Sequence, residues 1–304
     1  MPNLICHDLI FLNCFMSLYP LKAGPIGVFD SGYGGLTILE KIRELMPQYD
    51  YLYLGDNART PYGTRSFDVV YEFTRQSVEK LFSLGCPLVV LGCNTASAKA
   101  LKTIQQNDLP EWNPEKRVLG VIRPTVESIA KVTKTKHVGV LGTVGTIQSM
   151  SYPIEIGKLS PEIVVSGQAC PLWVPLVENA EYDSDGADYF VKKYIDEILE
   201  KDPVIDTLIL GCTHYPLLLP KIKKYLPRNV NIVSQGANWK DSVLNNYMDR
   251  KSNINSRRAN SFFNNANTYQ NTNLNYLSNI GDDIRGMDNA FSNVVMGGIK
   301  KLGF

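Results

Sequence analysis

Between residues 25 and 235, short apolar runs rich in β-branched side chains alternate with stretches whose apolar positions recur every three or four residues. Ile26-Gly27-Val28-Phe29 has no polar interruption, the mark of a strand covered on both faces. It runs into the turn Asp30-Ser31-Gly32-Tyr33-Gly34-Gly35. From there Leu36, Leu39, Ile42 and Leu45 or Met46 fall at helical spacing until Pro47 ends the pattern. Residues 51–54 read as a second strand closing on Gly55-Asp56, and 66–84 as a helix. Residues 87–91 read as a third strand, closing on Gly92-Cys93-Asn94-Thr95 ahead of a helical pattern over 95–102. Strand, turn and helix in repetition predict a parallel sheet with helices on both faces.

The same order then recurs. Val138-Gly139-Val140-Leu141 and the turn Gly142-Thr143-Val144-Gly145-Thr146 mirror the opening strand and its glycine-rich turn. A strand is expected over 163–166, a helix over 187–200, and a helix over 217–225 after Pro216. Leu208-Ile209-Leu210-Gly211-Cys212-Thr213 matches Val89-Val90-Leu91-Gly92-Cys93-Asn94. Ile26 to Val138 and Cys93 to Cys212 are nearly equal separations, which suggests an internal duplication. The alternative is that any α/β chain yields look-alike strand-to-turn boundaries. The fold class expected is α/β, with two similar parallel-sheet domains related by a pseudo-two-fold and the active site in the cleft between them. Ligands of open α/β sheets bind beyond the carboxyl ends of the strands. Asp30, Ser31, Asp56, Cys93, Asn94, Thr143, Thr146, Cys212 and Thr213 all fall there.

The ends of the chain carry less. Residues 1–24 include an apolar stretch, but no Lys or Arg precedes Lys22, and His7 and Asp8 interrupt it, so it reads as an N-terminal extension and not as a secretory signal. No segment approaches the roughly 20 apolar residues that cross a bilayer, so no membrane partner is expected. Residues 245–279 hold twelve asparagines, which favour turns over regular pairing, and read as loops around short helices or partly disordered chain.

Composition narrows the function. The chain of 304 residues is 44% hydrophobic and 20% charged, an ordinary core-forming balance of about two domains. Its net charge of +1 supplies no field for a polyanion, so no nucleic-acid partner is expected. Six cysteines with no CxxC pair argue against a disulfide scaffold, a zinc knuckle or a thioredoxin motif, and point to a reduced cytoplasmic protein with no metal.

Cys93 and Cys212 stand in equivalent turns, each ahead of a helical pattern. Backbone N–H groups at a helix N-terminus are expected to stabilise a thiolate and lower its pKa. Buried structural thiols are the bland alternative. Two thiols in one cleft suit the inversion of a stereocentre without a cofactor. One thiolate takes a proton from a carbon, and the opposite thiol returns one to its other face. Ser31, Asn94, Thr95, Thr143, Thr146, Thr213 and the loop amides offer hydrogen bonds to carboxylate and ammonium groups, so the expected substrate is a small amino acid. Asp30 is alternatively the cap of the helix that follows it, and Asp56 alternatively holds the Pro61-Tyr62-Gly63 loop. Cys6, Cys14, Cys86 and Cys170 read as structural.

The motifs Gly27-Val28-Phe29-Asp30-Ser31-Gly32-Tyr33-Gly34-Gly35-Leu36, Leu54-Gly55-Asp56 with Pro61-Tyr62-Gly63-Thr64, Cys93-Asn94-Thr95-Ala96 and Gly211-Cys212-Thr213-His214-Tyr215-Pro216 resemble, in order, those of the glutamate racemases of the aspartate/glutamate racemase family. The Thr213-His214 pair favours the glutamate branch, since the aspartate branch usually carries an acidic residue after that threonine. The resemblance implies a cofactor-independent isomerase that interconverts L- and D-glutamate and supplies D-glutamate for peptidoglycan. It implies that Cys93 deprotonates D-glutamate with help from Asp30 and Asp56, and that Cys212 deprotonates L-glutamate with help from His214 and Glu178. It further implies substrate binding by Asp30, Ser31, Pro61, Tyr62, Gly63, Asn94, Thr95, Thr143, Thr146, Thr213 and His214. The implied domains are 25–118 completed by 234–304, and 119–233, with a homodimer left open as the assembly.

One departure stands out. The resemblance would place an Asp-Ser pair where this chain has Ser234-Gln235-Gly236. Three alternatives remain beside a glutamate racemase: a racemase of another acidic amino acid such as aspartate, a non-catalytic amino-acid or nucleotide binder, and a redox sensor pairing Cys93 with Cys212. The Gly32-Tyr33-Gly34-Gly35 turn lacks both the GK[ST] ending of a P-loop and full GxGxxG spacing, which weakens a nucleotide site.

Overall fold

The uninterrupted apolar runs become the inner strands of two parallel sheets. The computed structural model describes residues 24–235, apart from 48, and the backbone of a strand at 274–278. The first sheet contains β1 (Ile26–Asp30), β2 (Tyr51–Gly55), β3 (Leu88–Leu91) and β4 (Arg117–Gly120). The second contains β5 (His137–Gly142), β6 (Val164–Ala169), β7 (Thr207–Gly211) and β8 (Asn231–Val233). Every residue of β1, β2, β3 and β7 is buried, as expected of strands covered by helices on both faces.

The two sheets repeat one topology. The first has the order β4-β3-β1-β2 and the second β8-β7-β5-β6, with all pairings parallel. Cys93 follows β3 and Cys212 follows β7, so the two thiols leave equivalent strands. A further parallel strand, β9 (Leu274–Ser278), pairs with β2 and extends the first sheet.

Alternation along the strands sends side chains to separate layers. In β1, Val28 packs into a cluster with Leu39 and Ile42 of α1 (Leu36–Leu45), while Phe29 joins Val70, Val78 and Leu81 of α2 (Phe67–Ser83) on the other face. The Val28 cluster continues into the second half through Leu141, Trp173 and Ile195, so one apolar core joins the two sheets. Each fully buried Leu, Ile or Phe contributes roughly 1.5–3 kcal/mol, which makes this shared layer a large part of what fixes the halves together. A third cluster, with Val138, Val140, Tyr152 and Ile156, fills the remaining face of the second sheet.

Helix starts follow their capping residues. Ser66 accepts from Val69 N at 3.3 Å to open α2. Cys93 opens α3 (Asn94–Lys99), and Thr143 opens α4 (Val144–Gln148). The remaining helices used below are α5 (Ser151–Leu159), α6 (Trp173–Glu178), α7 (Asp185–Lys201) and α8 (Leu219–Tyr225).

Three expectations change. The helix expected over 217–225 is split, because Tyr215–Leu218 forms a single 3-10 turn before α8 begins at Leu219. Cys212 therefore does not sit at the N-terminus of an α-helix. β4, β8, α5 and α6 add to the elements expected from the pattern; β4 and β8 are only four and three residues long, too short to carry a period. The asparagine-rich stretch, expected as loops around short helices, contains β9, where pairing to the edge of β2 overrides weak strand propensity. The N-terminal extension and the rest of 236–304 lie outside the described residues.

Among the described residues no helix is long and apolar enough to cross a membrane.

Candidate active site

β1 delivers Asp30 to its carboxyl end, and the glycine-rich turn folds back over it. Asp30 is fully buried, and its Oδ1 accepts from Gly32 N at 2.9 Å. Its role is not to cap α1, whose N-cap is Gly35 without any side-chain bond. The glycines are needed for close approach. A Cβ on Gly34 would lie 2.6 Å from His214 Nδ1, and one on Gly35 would lie 2.8 Å from the Tyr53 hydroxyl. Small turn residues thus let the first half touch the second.

At the end of β3, Cys93 is the N-cap of α3, and its Sγ accepts from Ala96 N at 3.5 Å. The Cys93 thiol donates to Ser31 Oγ at 3.4 Å. The expected lowering of its pKa is not seen: burial, followed by the Asp30 charge, pushes this thiol up to about 12. The Ser31 and Ala96 contacts pull the other way but do not overcome the loss of water. Burial likewise raises the Asp30 carboxyl, against the His214 charge and the Gly32 and Gly35 amides that lower it.

The opposite wall is built differently. Cys212 follows β7 and its Sγ lies 3.7 Å from His214 Nδ1. The far nitrogen of that ring, Nε2, is hydrogen-bonded to Glu178 Oε1 at the end of α6. Burial works against a charged ring here, but contacts with Cys212 and Glu178 outweigh it and hold His214 well above its ordinary range. A ring whose charged form is favoured therefore stands beside this sulfur, where the first wall has a hydroxyl and an amide. Thr213 Oγ1 donates to Asp30 Oδ2 at 3.4 Å, linking the walls.

Hydroxyls and a lip close the space between them. Thr95 of α3 meets Thr143 at 2.9 Å, and Thr143 meets Thr146 at 3.0 Å. Gly145 N donates to Gly63 O at 2.8 Å, so the 60–65 loop rests on the start of α4. Asp56 braces that loop from behind, accepting from Arg59 Nε at 2.5 Å and from the Tyr62 hydroxyl.

One cavity is lined by Cys93 and Cys212 together with Ser31, Pro61, Tyr62, Gly63, Asn94, Thr95, Thr143, Thr213 and His214. Asp30, Asp56, Glu178 and Thr146, also singled out from the sequence, do not line it. Cys170, expected to be structural, does line it, with only 1% of its surface exposed. The described cysteines are free thiols. Tyr152 and Gln235 contribute buried polar groups beyond those expected from the sequence. The i, i+4 spacing of Tyr152 and Ile156 is the signal available for α5, and Gln235 is visible only as a departure.

The sequence model described as Asp/Glu/Hydantoin racemase matches residues 26–237. The glutamate racemase of Persephonella marina is 44% identical over 209 residues, which cover 68% of this chain and 76% of that protein. Among solved structures, the glutamate racemase isoform RacE1 of Bacillus anthracis superposes with a TM-score of 0.74 at 34% identity, covering 93% of this chain and 95% of its own. The glutamate racemase of Francisella tularensis, solved in complex with D-glutamate, superposes with a TM-score of 0.72 at 29% identity, covering 93% of this chain and 95% of its own.

Proposed function

The chain belongs to the Asp/Glu/Hydantoin racemase family, and on that premise we propose that it is a glutamate racemase working through two cysteines and no cofactor. The observation that carries this reading is the placement of Cys93 and Cys212 on one cavity at the ends of equivalent strands. The thiolate of one cysteine takes the Cα proton: an S–H bond forms, the C–H bond breaks, and the electron pair passes into the substrate carboxylate as an enolate. The thiol of the other cysteine then protonates Cα from the opposite face, breaking its own S–H bond. The product is the other enantiomer, and the two sulfurs have exchanged protonation states.

Cys212 is assigned to L-glutamate and Cys93 to D-glutamate. His214, held by Glu178, supplies the counter-charge on the Cys212 side. Asp30 lies behind Ser31 and acts on the Cys93 side through charge and through its hold on the turn. Asp56 acts by fixing the 60–65 loop. Ser31, Asn94, Thr95, Thr143 and Thr213, with the amides of the Tyr62-Gly63 loop, hold the carboxylates and the ammonium group. The first domain is read as 25–118 completed by 234–304, supported by β9 beside β2, and the second as 119–233. The D-glutamate is assigned to peptidoglycan synthesis in the cytoplasm.

The test is to incubate enantiopure L-glutamate, D-glutamate and L-aspartate with the purified chain without added cofactor, following optical rotation. Rotation decaying to zero from either glutamate, with aspartate unchanged, is expected. Stable rotation from both glutamates would overturn the assignment, and decay with aspartate alone would move it to that amino acid.

A further inference from the structure

Three polar side chains from separate parts of the chain close on one another beside the Cys93 wall. Asn94 is the first residue of α3, Tyr152 lies in α5, and Gln235 stands two residues beyond β8. They are 2%, 1% and 8% exposed. Asn94 Nδ2 donates to Gln235 Oε1 at 2.8 Å, and Gln235 Nε2 returns a hydrogen bond to Asn94 Oδ1, so the two carboxamides form a reciprocal pair. The Tyr152 hydroxyl donates to the same Asn94 Oδ1 at 2.7 Å and accepts from Gln235 Nε2 at 2.9 Å.

The inventory of donors and acceptors gives this cluster a direction. Asn94 Oδ1 has two lone pairs, and both are taken. Gln235 Nε2 is engaged by both Asn94 Oδ1 and the Tyr152 hydroxyl, and the O–H of Tyr152 is spent on Asn94. Asn94 Nδ2 gives one hydrogen bond, to Gln235 Oε1, which leaves its second N–H to be met, and Asn94 lines the cavity. A buried donor requires a partner, and one carried by a residue on the wall of a substrate cavity can obtain it from the ligand.

We propose that Gln235 and Tyr152 are positioning residues that clamp the Asn94 carboxamide in one orientation, so that its remaining N–H meets a carboxylate oxygen of the bound amino acid. The clamp rests on the reading of Asn94 as a substrate-binding residue. It also assigns a role to the place where the sequence departs from the expected Asp-Ser pair. A carboxamide donates and accepts through two separate atoms, which a reciprocal pair with asparagine requires and the single hydroxyl of the serine expected at 235 does not supply. Because Asn94 belongs to the first half while Tyr152 and β8 belong to the second, the clamp also ties the Cys93 wall to the second sheet.

The test combines kinetics with a measurement that does not depend on turnover. In Gln235→Leu, KM for both glutamate enantiomers should rise about tenfold while kcat changes less than about threefold, the pattern of a contact made equally in ground and transition states. In an Asn94→Ala background the same substitution should leave KM within about twofold, because Gln235 acts through Asn94. A purely structural role would lower thermal stability in both backgrounds and leave the KM of the folded protein unchanged. Tyr152→Phe removes one donor and keeps the ring, so a rise in KM of about threefold is expected even if Gln235→Leu does not fold.

Independently, the Asn94 side-chain N–H bonded to Gln235 should exchange slowly with D2O in the full wild-type chain and rapidly in Gln235→Leu or Tyr152→Phe. Unchanged exchange and unchanged KM in these variants would overturn the clamp while glutamate turnover by the wild type left the racemase reading intact. Loss of protection in a chain whose wild type does not turn over glutamate would support the clamp and overturn the substrate.

Discussion

The walls that carry Cys93 and Cys212 follow the same strand order, yet they prepare their thiols in different ways. Cys93 is buried against Ser31 and the Ala96 amide, with the Asp30 charge behind it, and is held protonated with a pKa of about 12. Cys212 faces the His214 ring, which Glu178 helps to keep charged. The topology is duplicated but the electrostatics are not. The difference matters because a two-base racemase needs one thiol and one thiolate at the start of each turnover. Burial favours the protonated form of Cys93, which suits that wall to giving a proton.

The comparison breaks most completely if either thiol is dispensable. Cys93→Ala and Cys212→Ala should each lower kcat by roughly 10⁴-fold, the upper end for a general acid or base. Full activity in either variant would remove the two-wall mechanism.

The next largest effect separates the walls. Glu178→Gln withdraws the charge that helps hold His214 protonated, so the basic limb of the kcat/KM profile should move to lower pH, and His214→Asn should cost roughly 10²-fold. The sign follows from the raised His214 pKa: its charge is present below the folded value and lost as pH rises through it. The two enantiomers have equal free energies, so kcat/KM must fall by one factor in both directions. Any asymmetry will appear in the separate kcat values. An unmoved basic limb would show that the imidazolium does not tune its wall.

Asp30 tests the other side. Because its charge raises Cys93, Asp30→Asn should speed alkylation of Cys93 by iodoacetamide at pH 8.5 by roughly tenfold, one pKa unit, read by peptide mass. No acceleration would mean that burial alone sets the Cys93 thiol. The smallest effect belongs to the lip: Tyr62→Phe removes the hydroxyl that meets Asp56, and KM should rise about threefold with kcat unchanged.

Much of this contrast is legible in the sequence, and the missing parts have physical causes. β1, β3, β5 and β7 stand out because strands covered on both faces are continuously apolar, and the turns after them place both cysteines at one end of the sheets. His214 and Glu178 are identified by resemblance. Their contact joins residues on α6 and in the turn after β7, a proximity no periodicity encodes. The Cys93 pKa departs from its sequence-based expectation for a related reason. A helix N-terminus is visible in the sequence, but the depth at which Cys93 is buried depends on packing across the cleft, and desolvation outweighs the capping amide. At Cys212 the pattern suggests a helix start, and Pro216 sits instead in a 3-10 turn, so the charge beside that thiol comes from a side chain. Gln235 is visible only as an exception, because its partners lie on α3 and α5.

The central claim, that the two walls hold separate acids and bases, is tested most directly by the first turnover in D2O. Enzyme equilibrated in D2O is mixed with protiated L-glutamate and quenched before one turnover is complete, and Cα isotope content is read by mass for each enantiomer. The expected result is D-glutamate carrying deuterium, delivered by the Cys93 thiol, and recovered L-glutamate still carrying protium. D-glutamate that retains the original Cα protium would show one base moving a single proton between faces and would contradict the two-wall mechanism.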